Sequence, residues 1–178
     1  MTEVKLDIGC GLKKREGFLG IDIVRTESVD IIAKVENLPF KDSSVDVIYT
    51  RHTLEHVDDF EKAVKEMWRV SKPNAIIEII VPFWAHHRAH DPFHKRFFDR
   101  FSFDVYSVQK ENKTFVADPE VRFFIEKIRY KFQIKRFPFS YFYRILEKLA
   151  NKYYNTYEST FANIFPAYEI YFKLRVIK

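Results

Sequence analysis

Short apolar runs separated by polar turns fill the first 82 residues of the chain. Runs of about five residues bounded by turn-forming residues are typical of buried strands. We therefore predict strands at residues 4–8, 18–23, 29–33, 46–50 and 76–81. The alternation of strands and helical segments indicates an α/β fold, whose parallel sheet binds ligands at the carboxyl ends of its strands.

Helical periodicity lies between the fourth and fifth of these strands. Apolar residues recur there at intervals of three and four, and Asp58 followed by Glu61 matches a capping box. We predict a helix from Asp58 to Val70 that packs on the sheet through one apolar face. The residues on that face are Phe60, Ala63, Val64, Met67 and Trp68.

The pattern changes after residue 82. Residues 84–106 hold four histidines and Pro92, which predicts a loop with a short helix. Arg122 to Ile134 and Ala167 to Val176 have the pattern of two further strands. Residues 138–165 between them are too many for a hairpin turn, so we interpret them as a helical insertion. Its apolar stripe consists of Phe142, Ile145, Leu146, Leu149 and Tyr153.

Glycines and acids follow the first two strands in a pattern that suits a nucleoside. Gly9 and Gly11 let the backbone approach a ligand, and Asp22 can accept hydrogen bonds from ribose hydroxyls. A dinucleotide-binding turn has a third glycine, where this chain has Lys14, and an acid about 20 residues further on. Here Asp22 lies only eleven residues beyond Gly11, which leaves no room for a crossover helix. The pattern therefore disfavours a nicotinamide dinucleotide.

Six motifs lie within residues 4–82: Asp7-x-Gly9-x-Gly11, Asp22, Leu38-Pro39-Phe40, Val45-Asp46-x-Ile48, Leu54-Glu55-His56 and Arg69-Val70-x-Lys72-Pro73. Together they resemble the class I S-adenosylmethionine-dependent methyltransferases, in particular the type 11 group. The resemblance implies a Rossmann-like sheet that is mostly parallel with an antiparallel last strand. It also implies S-adenosylmethionine as the cofactor, and we expect a fold shortened at the N-terminus with the helical insertion near the C-terminus.

The resemblance also implies which residues bind the cofactor. Lys34 departs from the family, because relatives often have an acid there that contacts the adenine. The implied residues are Asp7, Gly9, Cys10 and Gly11 at the methionine end and the turn, Asp22 and Ile23 at the ribose, Val35 and Glu36 beside the adenine, and Thr50, Arg51 and His52 beneath the methionine.

Three histidines are the candidate catalytic residues: His86, His87 and His90. They follow the fifth predicted strand, where a substrate would approach the methyl group, and neutral imidazole can accept a proton near neutral pH. His86, His90 and His94 are also spaced by four residues, which would suit a metal ion on a helix. Pro92 argues against a regular helix there, so we predict no metal site.

Composition limits the class of protein. The 178 residues suit a single domain spanning residues 1–178, with residues 84–106 on the substrate side. One cysteine excludes internal disulfides, and the apolar runs are far shorter than the ~20 residues of a membrane span. No signal peptide precedes the first strand, so we expect a cytoplasmic protein.

Two functions remain open at this stage. The favoured one is a methyltransferase that acts on a hydroxyl or amine of a small or envelope-related substrate. The alternative is a non-catalytic module that binds RNA or anionic lipid, since the region from Arg122 to Arg144 has seven bases, one acid and many aromatic residues. The apolar stripe of the insertion also predicts either a homodimer or a lid over the site.

Overall fold

A computed structural model describes residues 3–109, 118–133 and 140–178. Seven strands in these residues form one sheet, in the spatial order β3-β2-β1-β4-β5-β7-β6. The strands are β1 Lys5–Ile8, β2 Leu19–Asp22, β3 Ile31–Ile32, β4 Val45–Arg51, β5 Ser71–Pro82, β6 Arg122–Lys131 and β7 Glu169–Ile177.

Strands β1 to β5 pair in parallel, whereas β7 runs antiparallel to both of its neighbours, β5 and β6. This confirms the mostly parallel sheet with an antiparallel last strand. From β1 the chain moves outward to β3 and then returns to the other side of β1 as β4. Such a reversal leaves a crevice at the carboxyl ends of β1 and β4, where ligands bind in open α/β sheets.

The predicted helix is α1, Phe60–Val70, which buries Val64 and Met67 against the sheet. Its N-cap is Asp59, whose carboxylate accepts a hydrogen bond from the backbone N–H of Lys62. The prediction that Asp58 caps the helix is wrong, because the Asp58 carboxylate instead pairs with Lys95. On the predicted apolar face Phe60 and Trp68 are only partly buried, and the Trp68 indole donates to the carbonyl of Ile177, 3.0 Å away.

The two faces of the sheet differ. Side chains such as Ile48 and Ile77 enter the core beside α1, and the alternate residues Tyr49 and Glu78 point to the other face. The connections at residues 9–18, 23–30 and 33–44 contain no helix. In parallel sheets such connections normally carry helices that cover the faces. The described connections leave the face opposite α1 without such helices, and polar side chains such as Tyr49 and Glu78 lie on it; we call it the open face.

The second long helix, α2, is Ser140–Lys152, followed by a short helical turn, Tyr154–Thr156, and a π-helical turn, Tyr157–Phe161. It packs on β6, where the Asn151 side chain bonds both the N–H and the carbonyl of Tyr130. Leu146 and Ala150 face the core, while the rest of the predicted stripe is 41–54% exposed. Those exposed residues are Phe142, Ile145, Leu149 and Tyr153.

Parts of two predictions fall on residues 134–139, outside the described residues: the end of the strand at Ile134 and the start of the insertion at residue 138. Residues 84–106 form irregular structure with two 3₁₀ turns, His87–His90 and Asp104–Tyr106. In the described parts of the chain, no helix has the length and apolar character needed to cross a membrane.

Candidate active site

The turn after β1 depends on glycine at two positions. Gly9 and Gly11 have φ angles of +72° and +57°, which favour glycine over other residues. A Cβ on Gly9 would lie 1.9 Å from Oγ1 of Thr53, so Gly9 also lets the turn after β4 pack closely. No atom lies within 4 Å of a Cβ built on Gly11, so the turn borders open space there.

Asp22 ties the glycine turn to the end of β2. One carboxylate oxygen, Oδ2, accepts a hydrogen bond from the N–H of Gly11 at 2.9 Å, and Oδ1 accepts one from the N–H of Val24 at 3.0 Å. Each oxygen keeps a second lone pair. Asp22 can therefore hold the turn and still accept hydrogen bonds from a ligand.

A cavity of about 410 Å³ lies at the carboxyl ends of β1, β2 and β4, and we call it the glycine-turn cavity. Its volume falls within the range of small-molecule sites. Lys34 lines it and approaches Asp58 at 3.7 Å. The predicted cofactor residues in its wall are Gly9, Asp22, Ile23, Val35, Glu36 and His52.

Three other predicted cofactor residues, Asp7, Cys10 and Arg51, line a separate cavity on the open face. Asp7 accepts a hydrogen bond from the N–H of Arg15 at 2.6 Å, so its carboxylate stabilises the loop after β1. Burial raises the pKa of Asp7, and the bond from Arg15 opposes that shift. Thr50 is buried, and neither Thr50 nor Gly11 lines either of these two cavities.

A second cavity, of about 450 Å³, adjoins the glycine-turn cavity and shares His52 and His56 with it. We call it the histidine pocket. Five of its ten lining residues are histidines from the turn after β4 and from residues 87–94. The lining residues are His52, Glu55, His56, Pro82, His87, Arg88, His90, Asp91, His94 and Tyr168.

His52 lies between two carboxylates. Its Nε2 is 2.7 Å from Glu169 Oε1, and its Nδ1 is 3.3 Å from Glu55 Oε1. Burial lowers the pKa of His52, but the hydrogen bonds to the two carboxylates outweigh burial and raise the pKa to about 9. His52 is therefore an imidazolium at neutral pH and donates from both nitrogens. It also has a φ of +53°, an uncommon backbone conformation that recurs at functional sites.

The three predicted catalytic histidines occupy different environments. His87 and His90 line the histidine pocket. His86 is 7% exposed, lies behind the wall, and accepts a hydrogen bond from the N–H of Arg88. Its ring contacts that of His87, with centroids 4.2 Å apart and ring planes tilted by 36°. His86 thus contacts the turn, whereas His87 and His90 are the predicted catalytic histidines that line the pocket.

Sequence reasoning missed several residues of the pocket. Glu55 and His56 belong to a motif that supported the family resemblance, and a search for buried carboxylates beside histidines would have singled them out. Tyr168, which lines the pocket, and Glu169, which bonds His52, have no such local signal, because they lie at the start of β7. Only the antiparallel pairing of β7 with β5 brings them there.

Residues 6–79 match the family model described as a methyltransferase domain. A 44-residue stretch is 48% identical to norajmaline N-methyltransferase from Rauvolfia serpentina. That stretch amounts to 25% of this chain and to 15% of the plant enzyme, so the chain matches only a small part of that relative's length.

Solved structures resemble nearly the whole chain. A SAM-dependent methyltransferase from Archaeoglobus fulgidus has a TM-score of 0.63 at 14% identity, over 97% of this chain and 86% of that one. A possible histamine N-methyltransferase from Thermotoga maritima has a TM-score of 0.56 at 19% identity, over 100% and 83%. Geranyl diphosphate C-methyltransferase from Streptomyces coelicolor has a TM-score of 0.62 at 12% identity, over 99% of this chain and 72% of that one. The family match therefore covers the first five strands, and the solved structures show that the whole chain has the fold of S-adenosylmethionine-dependent methyltransferases.

Proposed function

We propose that the protein transfers a methyl group from S-adenosylmethionine to a hydroxyl or amine of a small or envelope-related substrate. The observation that carries this proposal is that the glycine-turn cavity and the histidine pocket share His52 and His56. A cofactor in the first cavity and an acceptor in the second would meet at these residues. Methyl transfer requires such a juxtaposition, because donor and acceptor must lie in line.

The glycine-turn cavity suits a nucleoside. Ile23 and Val35 provide apolar surface for an adenine ring, while Asp22 and Glu36 provide carboxylates for hydroxyl and amine donors. Lys34 occupies the position where relatives often have an acid. Glu36 is therefore the acid that would accept a hydrogen bond from the adenine amine. Bound S-adenosylmethionine would supply the methyl group on a sulfonium leaving group.

The histidine pocket suits an acceptor that loses a proton. His87 and His90 lie in its wall and are the candidate general bases for a hydroxyl or an amine. His52 is excluded as a base at neutral pH because it is protonated there. Arg88 and Asp91 add one charge of each sign to the wall, so the pocket can bind polar groups on the acceptor.

The test is calorimetric titration with S-adenosylhomocysteine and with NAD, followed by transfer of labelled methyl groups from S-adenosylmethionine to small alcohols and amines. We expect binding of the first ligand only, and transfer that is lost in the double variant His87→Gln/His90→Gln with cofactor affinity retained. Absence of S-adenosylhomocysteine binding by the folded chain would refute the cofactor assignment. Unchanged transfer in the double variant would refute the assignment of the bases.

The alternative, a module that binds RNA or anionic lipid, finds less support. Two bases of the region already have partners: Arg129 pairs with Glu147 at 2.7 Å, and Arg122 donates to backbone carbonyls. Lys135 and Arg136 lie outside the described residues. We therefore favour the enzyme, and binding of labelled RNA or of phosphatidylglycerol vesicles with no cofactor binding would reverse this choice.

A further inference from the structure

Three side chains in the wall of the histidine pocket form a cluster with the composition of a metal site. Glu55, His56 and His94 each offer a ligand atom, and these atoms lie within 4.8 Å of one another. The first two residues follow β4, and His94 lies 38 residues further along the chain. Two imidazoles and one carboxylate are a ligand set that proteins use for zinc.

The carboxylate of Glu55 is buried with one oxygen unused. The residue is 1% exposed, and its Oε1 accepts a hydrogen bond from His52. Its other oxygen, Oε2, has no hydrogen-bond partner among the described residues. Because buried polar atoms are nearly always paired, an unpaired carboxylate oxygen at a pocket wall indicates a missing partner.

Backbone contacts orient both imidazoles for metal binding. Nδ1 of His56 lies 3.3 Å from the carbonyl of Phe93, and Nδ1 of His94 lies 3.0 Å from the carbonyl of Ala89. A carbonyl can only accept, so each Nδ1 carries a proton, and in the neutral imidazole Nε2 is then the nitrogen with the lone pair. Metal-binding histidines commonly donate their second nitrogen to a backbone carbonyl in this way.

We propose that Glu55 Oε2 and the Nε2 atoms of His56 and His94 bind a divalent metal ion of the zinc class. With three protein ligands, a fourth coordination position remains for water or for a ligand in the histidine pocket. The proposal goes beyond methyl transfer and does not depend on it, since it rests on the ligand cluster alone.

Hydrogen bonds fix the backbone around these ligands, so only small movements of their side chains are possible. Arg96 donates to the carbonyls of Leu54 and Val57, and the N–H of Lys95 donates to the carbonyl of Glu55 at 2.8 Å. Tetrahedral zinc with bonds of about 2.0–2.1 Å needs ligand atoms about 3.3 Å apart. Because the ligand atoms lie within 4.8 Å of one another, the separations need to shorten by at most roughly 1.5 Å, which the exposed ring of His56 can supply by rotation.

The test uses the untagged full chain, stripped of metal with a chelator and titrated with Co²⁺ as a spectroscopic probe and with Zn²⁺. We expect one equivalent to bind, with visible absorption bands from Co²⁺ and a higher unfolding temperature with Zn²⁺, because an ion that binds only the folded state stabilises it. His56→Gln and His94→Gln should each weaken binding by at least about 10–100-fold, the loss that even outer-shell changes cause.

His87→Gln is the matched control, since it removes an imidazole from the same pocket without touching the cluster. It should bind Co²⁺ as the parent does. His56 is exposed, so His56→Gln should stay folded even if the other variant does not. Unchanged binding by folded His56→Gln, or no stoichiometric binding by the parent, would overturn the proposal and leave a water molecule as the partner of Glu55. Titration of the metal-free chain with S-adenosylhomocysteine separates this failure from failure of the proposed function.

Discussion

His52 and Glu169 connect the turn after β4 to the first residue of β7, with His52 Nε2 2.7 Å from Glu169 Oε1. Arg51 approaches the same oxygen at 2.6 Å. Burial raises the pKa of Glu169, but the hydrogen bonds from His52 and Arg51 outweigh it and lower the pKa to about 2. One buried carboxylate thus fixes the turn that both cavities share.

We expect Glu169→Gln to lower the free energy of unfolding at pH 7 by about 1.5–3 kcal/mol, the usual value of a hydrogen bond to a charged group. In the folded chain Glu169 stays ionised down to about pH 2, whereas its ordinary pKa is 4.5. Its contribution is therefore present above pH 4.5 and is lost as the pH falls toward 2. Urea unfolding at pH 5 and pH 3 checks this. A stability difference between parent and variant that stays constant over this range would contradict it.

Asp22→Ala should weaken binding of S-adenosylhomocysteine by about 10–150-fold, since it removes a charged acceptor worth about 1.5–3 kcal/mol. Calorimetric titration measures the change. Glu27→Ala is the control, because Glu27 is an exposed acid in the connection that follows Asp22 and does not line the glycine-turn cavity. If Asp22→Ala binds as tightly as the parent, Asp22 does not hold the ribose.

Gly11→Val should abolish cofactor binding while the chain stays folded. Its φ of +57° is strained for valine, and the side chain would project into open space beside Asp22. Gly17→Val is the matched control, since Gly17 also has a positive φ and open space around its Cβ, whereas only Gly11 lies in the turn that is hydrogen-bonded to Asp22. Circular dichroism confirms folding, and equal loss of affinity in both variants would mean that general strain is responsible.

The exposed stripe on α2 predicts self-association. Ile145 and Leu149 are 41% and 49% exposed, and apolar surface of this kind commonly marks an interaction site. No described residue of α2 lines the glycine-turn cavity, which favours a dimer over the lid. The variant Ile145→Asp/Leu149→Asp should sediment as a monomer and the parent as a dimer. Equal masses, together with equal cofactor affinities, would exclude both the dimer and the lid.

The local sequence pattern was enough to predict those elements in which buried residues recur at regular intervals. Strand β4 was predicted at residues 46–50 and spans Val45–Arg51, because apolar side chains mark it directly. Strand β5 starts at Ser71, five residues earlier than predicted, because polar residues can pair at the strand's beginning. There Lys72 bonds Asp46 on the neighbouring strand at 2.7 Å, a contact that periodicity does not reveal.

Distant contacts set the features that local pattern missed. The capping-box pattern singled out Asp58, but Asp58 pairs with Lys95 and the cap is Asp59. In the sequence Glu169 is an ordinary strand residue, and its contact with His52 depends on the pairing of β7 with β5. The glycine turn and Asp22 are close in the sequence, so their proximity was predictable, whereas the wall of the histidine pocket is assembled from three separate stretches of chain.

Polar side chains that contact one another lie on the open face of the sheet, so this face can stay exposed to solvent. Arg15 bonds Glu78 at 2.7 Å, Tyr171 donates to the same carboxylate at 3.0 Å, and the Arg15 guanidinium stacks on Tyr49. The connection at residues 9–18 crosses this region without a helix, and the entropy cost of a longer loop grows slowly with its length. Replacing these polar residues with apolar ones and lengthening the connection into an amphipathic helix would give this sheet a second hydrophobic layer. The difference in free energy of unfolding between the parent and such a variant would therefore measure how much one layer of helices stabilises the sheet.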